Sequence, residues 1–129
     1  MKKLFYILTS IIFIGCSKDE TPDYDGKYFF SKNISKENGV ITMESNWENT
    51  CYGKSNYIVN ENSKYTTYES WIPKGNSCNL SNTQTFTFDS NSKKIDGQPV
   101  TFEGNLLILK WEYTHENKVI ENIYYYKKN

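Results

Sequence analysis

The chain contains no arginine, no alanine, a single histidine and three prolines, and its one sustained apolar run is only 11 residues long. Each shortage narrows the field. Without arginine, the planar fork that grips phosphates and base edges is missing. The net charge offers no substitute, because 15 lysines stand against 15 acidic residues. Removing residues 1–15 takes away Lys2 and Lys3 and no acid, leaving 13 lysines. No nucleic-acid partner is therefore expected. Without alanine, the best helix former, and with abundant tyrosine, phenylalanine, threonine and isoleucine, the composition favours strands.

The lone His115 lies in THENK, a hairpin-turn pattern in which an exposed, solvated ring is expected. No GxSxG elbow, HExxH pair or glycine-rich phosphate loop occurs. No catalytic residue is expected, and none of the 129 positions suggests an enzyme. DSNSK, from Asp89, alternates oxygen-bearing side chains, but Lys94 stands where a calcium loop requires glycine and Val100 where it requires glutamate. Cys51 and Cys78 lack CxxC spacing and a nearby histidine, so they do not form a tetrahedral set. Neither a metal nor a cofactor is expected. The sequons at Asn33 and Asn79 carry meaning only in a glycosylating cell.

At the amino end, Lys2 and Lys3 precede the apolar stretch from Leu4 to Ile14, which Gly15 and Cys16 close. The run is too short for a spanning helix, for which about 18 residues are needed, and its layout matches a secretory leader over 1–15. FIGC, Phe13 to Cys16, resembles a lipobox, with Phe13 in a position where leucine is usual. That resemblance implies lipidation of Cys16. SKDE, Ser17 to Glu20, resembles the acidic export signal that follows the lipidated cysteine in surface lipoproteins of the Bacteroidetes. The alternative is a plain leader that leaves Cys16 as an unpaired thiol. Residues 16–25, polar and containing Pro22, are expected to form the lipidated cysteine and a flexible tether. Acyl chains contribute about 0.8 kcal/mol per buried methylene, so such an anchor needs no spanning segment.

With Cys16 acylated, Cys51 and Cys78 remain as an even pair in an exported chain. A disulfide between them is the economical reading, with two separate buried thiols as the alternative. Of the 21 aromatic residues, Phe5, Tyr6 and Phe13 leave with the leader. A core this small must then be built from rings.

From residue 26 to 129 the text becomes one domain of short extended runs between turn residues. Lys27 to Ile34, Gly39 to Ser45, Ser55 to Asn60, Lys64 to Trp71, Thr83 to Ser90, Pro99 to Glu103, Asn105 to Tyr113 and Val119 to Lys128 read as strands. NWENTCYGKS is irregular, with room for one helical turn. IPKGNSCNLSN, marked by Pro73 and Gly75, reads as a loop that holds Cys78. Thr83 to Ser90 puts Phe86 and Phe88 on one face, and Asn105 to Tyr113 is the most apolar strand, buried on both sides at its start. The fold expected is all-β: one small antiparallel up-and-down β-barrel of about seven or eight strands, its first strand YFF against its last, IYYY.

GKYFF, a cysteine before NYIV, a second cysteine after the hairpin, TFTFD, GNLLIL and the terminal IYYYKK together resemble the lipocalin-like domain of Bacteroidetes lipoproteins. Tyr28 occupies the position where that family usually has tryptophan. The resemblance implies a small barrel with a cavity that either holds a ligand or is filled. Trp47, Tyr57, Tyr65, Trp71, Trp111 and Tyr113 are the candidates to line its mouth, or else to form its core, with Trp111 weighted most heavily to the core. The expectation is a monomeric, non-enzymatic binding module, lipid-anchored in the outer membrane and exposed at the cell surface. It would contact a small apolar ligand or an envelope protein. The alternative is an inhibitory or protective interaction protein that uses an extended loop around Lys74 to Asn79.

Overall fold

The computed structural model describes residues 24–129. The leader, Cys16, the SKDE segment and the tether as far as residue 23 lie outside the described residues. Nine strands build one antiparallel sheet: β1 (Gly26–Glu37), β2 (Val40–Asn46), β3 (Asn56–Val59), β4 (Tyr65–Lys74), β5 (Ser77–Asp89), β6 (Lys94–Ile95), β7 (Gln98–Glu103), β8 (Leu106–His115) and β9 (Lys118–Lys128). Hydrogen bonding follows the order β2-β1-β3-β4-β5-β6-β7-β8-β9, and β9 returns to β1, so the sheet closes into a barrel-like ring. First and last strands meet as expected, with Tyr28 opposite Lys128 and Phe30 opposite Tyr126.

Two features depart from a simple up-and-down meander. The long β1 shares one edge between two neighbours: its first four residues pair with β3, and Lys32–Glu37 pair with β2. A ninth strand arises because Lys94–Ile95 pairs on both sides, where a turn alone was expected. The irregular segment after β2 contains one turn of 3-10 helix, Tyr52–Lys54.

IPKGNSCNLSN is not a loop. β4 and β5 run through it as one long hairpin that turns at Gly75 and Asn76, with Lys74 opposite Ser77. In a two-residue hairpin the residues flanking the turn bond each other, so the next residue back, Pro73, directs its backbone nitrogen away from β5. Its missing N–H therefore costs the β4–β5 ladder nothing. The expected extended loop around Lys74 to Asn79 is absent for the same reason.

Turn chemistry sets the remaining connections. Asn38-Gly39 and Asp96-Gly97 hold both residues at positive φ (49° and 81°, 50° and 75°), the twist that suits tight hairpins. The turn at Glu116-Asn117 does the same for β8 and β9.

Aromatic and aliphatic side chains fill the ring in register. Tyr28 lies opposite Tyr57, Phe88 opposite Ile95, Val100 opposite Leu109 and Leu107 opposite Tyr126, and all of these belong to the core or pack against it. Phe86 and Phe88 share the inner face of β5, while Thr85 and Thr87 are exposed. At the start of β8 only one side is fully buried: Leu107 and Leu109 lie in the core, and Leu106 and Ile108 are half-buried.

The ring is complete at one end only. β6 reaches β5 only at Phe88 and Asp89, and β7 covers β8 only from Leu106 to Leu109. Beyond these residues β5 and β8 continue to the opposite end without each other, and the 38–39, 75–76 and 116–117 turns lie there. At the closed end Tyr24 stacks on Phe102 at 4.4 Å, lies under the Lys93 ammonium at 5.3 Å and donates its backbone N–H to the Glu61 carboxylate at 2.9 Å. Asp25 accepts the Glu61 N–H. The two last residues of the expected tether are thus already docked on the domain. Cys51 and Cys78 form the expected disulfide, which ties the 47–55 segment to the outer part of β5.

Candidate functional site at the open mouth of the ring

The mouth lies between the outer halves of β5 and β8. Its floor is aromatic because the strands below bring their inner faces together: Tyr57 contacts Tyr68 at 4.7 Å and Tyr126 edge-on at 4.9 Å. Burial holds the Tyr126 hydroxyl well above the ordinary tyrosine range, with neighbouring Tyr68 adding to the effect. Burial and Tyr68 shift Tyr57 in the same direction. Both hydroxyls therefore stay neutral and offer a proton rather than a charge.

Above this floor a small cavity of about 70 Å3 is lined by Tyr57, Phe86, Ile95, Asp96, Gln98, Leu109 and Trp111. Below it, among the described residues, Tyr28, Val59, Phe88, Leu107 and Tyr126 form a packed core with Tyr57, Tyr68 and Phe86 against it. Asp96 is the only ionisable acid on this lining, and no histidine, cysteine or serine joins it.

The six candidate aromatics separate into four environments. Tyr57 and Trp111 meet at the cavity. Trp111 is 45% exposed, which overturns its assignment to the core. The apolar character of β8 belongs to its first half; pairing with β7 stops at Leu109, and at Trp111 β7 is down to its first residue, Gln98. Tyr113 follows two residues later on the same face and is 53% exposed, so it extends the aromatic surface towards the 116–117 turn. Trp47 is half-buried, stacks on Phe30 at 6.0 Å, meets Tyr52 edge-on at 5.3 Å and donates its Nε1–H to Asn33 Oδ1 at 2.6 Å. It packs the ring from the β1 side.

Tyr65 and Trp71 do not reach the mouth. Tyr65 lies opposite Thr87 on the outer face. Trp71 lies six residues along β4 from Tyr65, opposite Leu80, and packs under the Lys54 ammonium at 5.8 Å.

Phe86, Leu109 and Gln98 are part of the site but were not among the sequence candidates. The Asp96-Gly97 turn was the available signal, since it stops β6 and β7 short and uncovers these residues. The remaining motifs are structural. His115 is exposed at the end of β8, its side chain 71% accessible. Asp89 accepts backbone N–H bonds from Asn91 and Ser92 at 3.0 and 3.1 Å. A hydrogen bond from the Ser92 side chain first, and these backbone bonds after it, hold its carboxyl below the usual carboxylate range. Among the described residues no group of three or more His, Cys, Asp or Glu side chains is placed to hold a metal ion, and no helix is long and apolar enough to cross a membrane.

No protein-family model matches the chain, and neither curated proteins nor solved structures match it.

Proposed function

We propose that this protein is a lipid-anchored, non-enzymatic binding module of the bacterial cell envelope, and that it contacts an envelope protein through the aromatic mouth of the ring. The observation that carries the reading is the exposure of Trp111 and Tyr113, at 45% and 53%, two residues apart on one face of β8 above the packed core. Large aromatic side chains left in water next to a packed core favour a contact surface over an enclosed pocket. The lipobox-like FIGC and the leader support an anchor at Cys16, which would hold the molecule at the outer membrane. An inhibitory role through a protruding loop loses the feature on which it rested, because residues 74–79 form a tight hairpin.

Crosslinking in the native envelope, followed by capture of the tagged full chain, tests both parts. We expect labelled palmitate to enter the wild type and not Cys16→Ser, and a captured protein to be lost when Trp111 and Tyr113 are both changed to alanine. A partner that is retained by the double variant overturns the assignment of the mouth. Equal envelope retention of Cys16→Ser overturns the anchor.

A further inference from the structure

Beside the exposed aromatics lies an unfinished backbone edge, and we propose that its occupant is an extended polypeptide segment that adds as a strand alongside the outer half of β8. This rests on the binding-module reading and names the form of its partner.

The hydrogen-bond parity of β8 is set at both ends. His115 and Lys118 flank a two-residue turn, so His115, Tyr113 and Trp111 direct their backbone groups to β9. At the other end Glu103 and Leu106 flank the turn from β7, so Leu106 and Ile108 bond β7. Continuing the alternation, the Lys110 N–H still meets the carbonyl of Pro99, and Glu112 and Thr114 direct their N–H and C=O groups into the gap beyond the end of β7. This is a row of donors and acceptors repeating every ~6.8 Å, a spacing that another extended backbone reproduces.

Among the described residues four strands leave an edge open, and three of these edges are interrupted; on β4, uncovered beyond Glu69 where β3 stops, Pro73 has no N–H to offer. β2 carries an extra residue, Thr42, where Ser35 pairs with Met43 and Lys36 with Ile41. β5 carries an extra residue, Ser81, between its pairings with Ser70 and Trp71. Such bulges disrupt strand addition. β8 pairs without any shift in register from one end to the other.

Side chains complete the match. On the outer face the Lys110 ammonium is held by Glu121 at 2.9 Å and by Glu112 at 3.6 Å, away from the aromatic side. On the inner face an added strand would meet Trp111 and Tyr113 with every second residue. The 70 Å3 cavity at the base of Trp111 is a little over twice the ~30 Å3 share of a water molecule, room for one small branched side chain. The guest is therefore a segment of alternating polarity with small aliphatic residues on the side facing the mouth.

The test is selection of nine-residue peptides displayed on phage against the full chain in detergent. Enriched peptides should alternate apolar and polar residues, and their synthetic versions should slow amide exchange at Glu112 and Thr114. Glu112→Pro removes an edge N–H without touching the β9 ladder and should weaken binding at least tenfold, while Glu112→Ala should bind as the wild type does. Should Glu112→Pro fold poorly, N-methylation of alternate peptide amides gives the same readout on the unaltered protein.

The proposal is overturned if no peptide is enriched, or if binding is indifferent to both Glu112→Pro and N-methylation. It is also overturned if the edge is taken by a second copy of the chain, seen as a dimer that Glu112→Pro dissociates. An envelope partner that depends on Trp111 and Tyr113 but not on the Glu112 N–H would sink the strand-addition mode and leave the binding module standing. Peptide binding without any such envelope partner would do the reverse.

Discussion

Leu107 has no exposed surface and lies opposite both Phe102 and Tyr126 in the part of the ring where every strand is paired. Truncating it to alanine leaves a void that rings cannot readily fill, so urea unfolding should show a loss of about 2–5 kcal/mol. Tyr57 and Tyr126 set the alkaline limit. Their folded pKa values are raised by burial above the unfolded value of 10.0. The folded state therefore retains protons that the unfolded chain releases, and stability is full below pH 10 and falls as pH rises above it. Denaturation followed from pH 8 to 12 should show this decline, and phenylalanine at both positions should flatten it. At this scale the sequence was readable wherever a side chain only had to be apolar. Trp111 was misjudged because its exposure depends on where a neighbouring strand stops, and no property of tryptophan encodes that.

Among the elements, the β4–β5 hairpin depends most on a covalent tie. The Cys51–Cys78 bond spans a sequence separation of 27 and anchors the irregular 47–55 segment to the hairpin's outer half, where β5 has no second neighbour. Replacing both cysteines with serine should cost about 3–4 kcal/mol, read as a lower midpoint in chemical denaturation. Exchange of the backbone amides from Ile72 to Leu80 should accelerate more than that of β8 or β9. Most strands were legible because alternation and turn dipeptides agreed, as at Asp96-Gly97. Residues 72–82 were not, since Pro73 and Gly75 mark a loop in one register and a tight hairpin in another. Only the pairing of Lys74 with Ser77 distinguishes the two. The irregularity after Ser70 was hidden for a related reason: an extra residue in one strand has meaning only relative to its partner.

At the scale of the whole molecule, the all-strand composition and the lack of a helical run to cover a face foretold closure, and with it the meeting of YFF and IYYY. The sharing of β1 between β2 and β3 was beyond reach, because it depends on the short length of β3 rather than on any motif. Closure also fixes how the molecule meets a load. The amino-terminal segment enters at Tyr24, and within a few residues the chain becomes β1, gripped by β3 and β2 along one edge and by β9 along the other. Tension drawn through that segment runs along β1 and shears its two ladders, so many bonds must fail together instead of opening one by one. Held at Tyr24 and pulled from the open mouth, the domain would resist mechanically at the point where its fold is most complete.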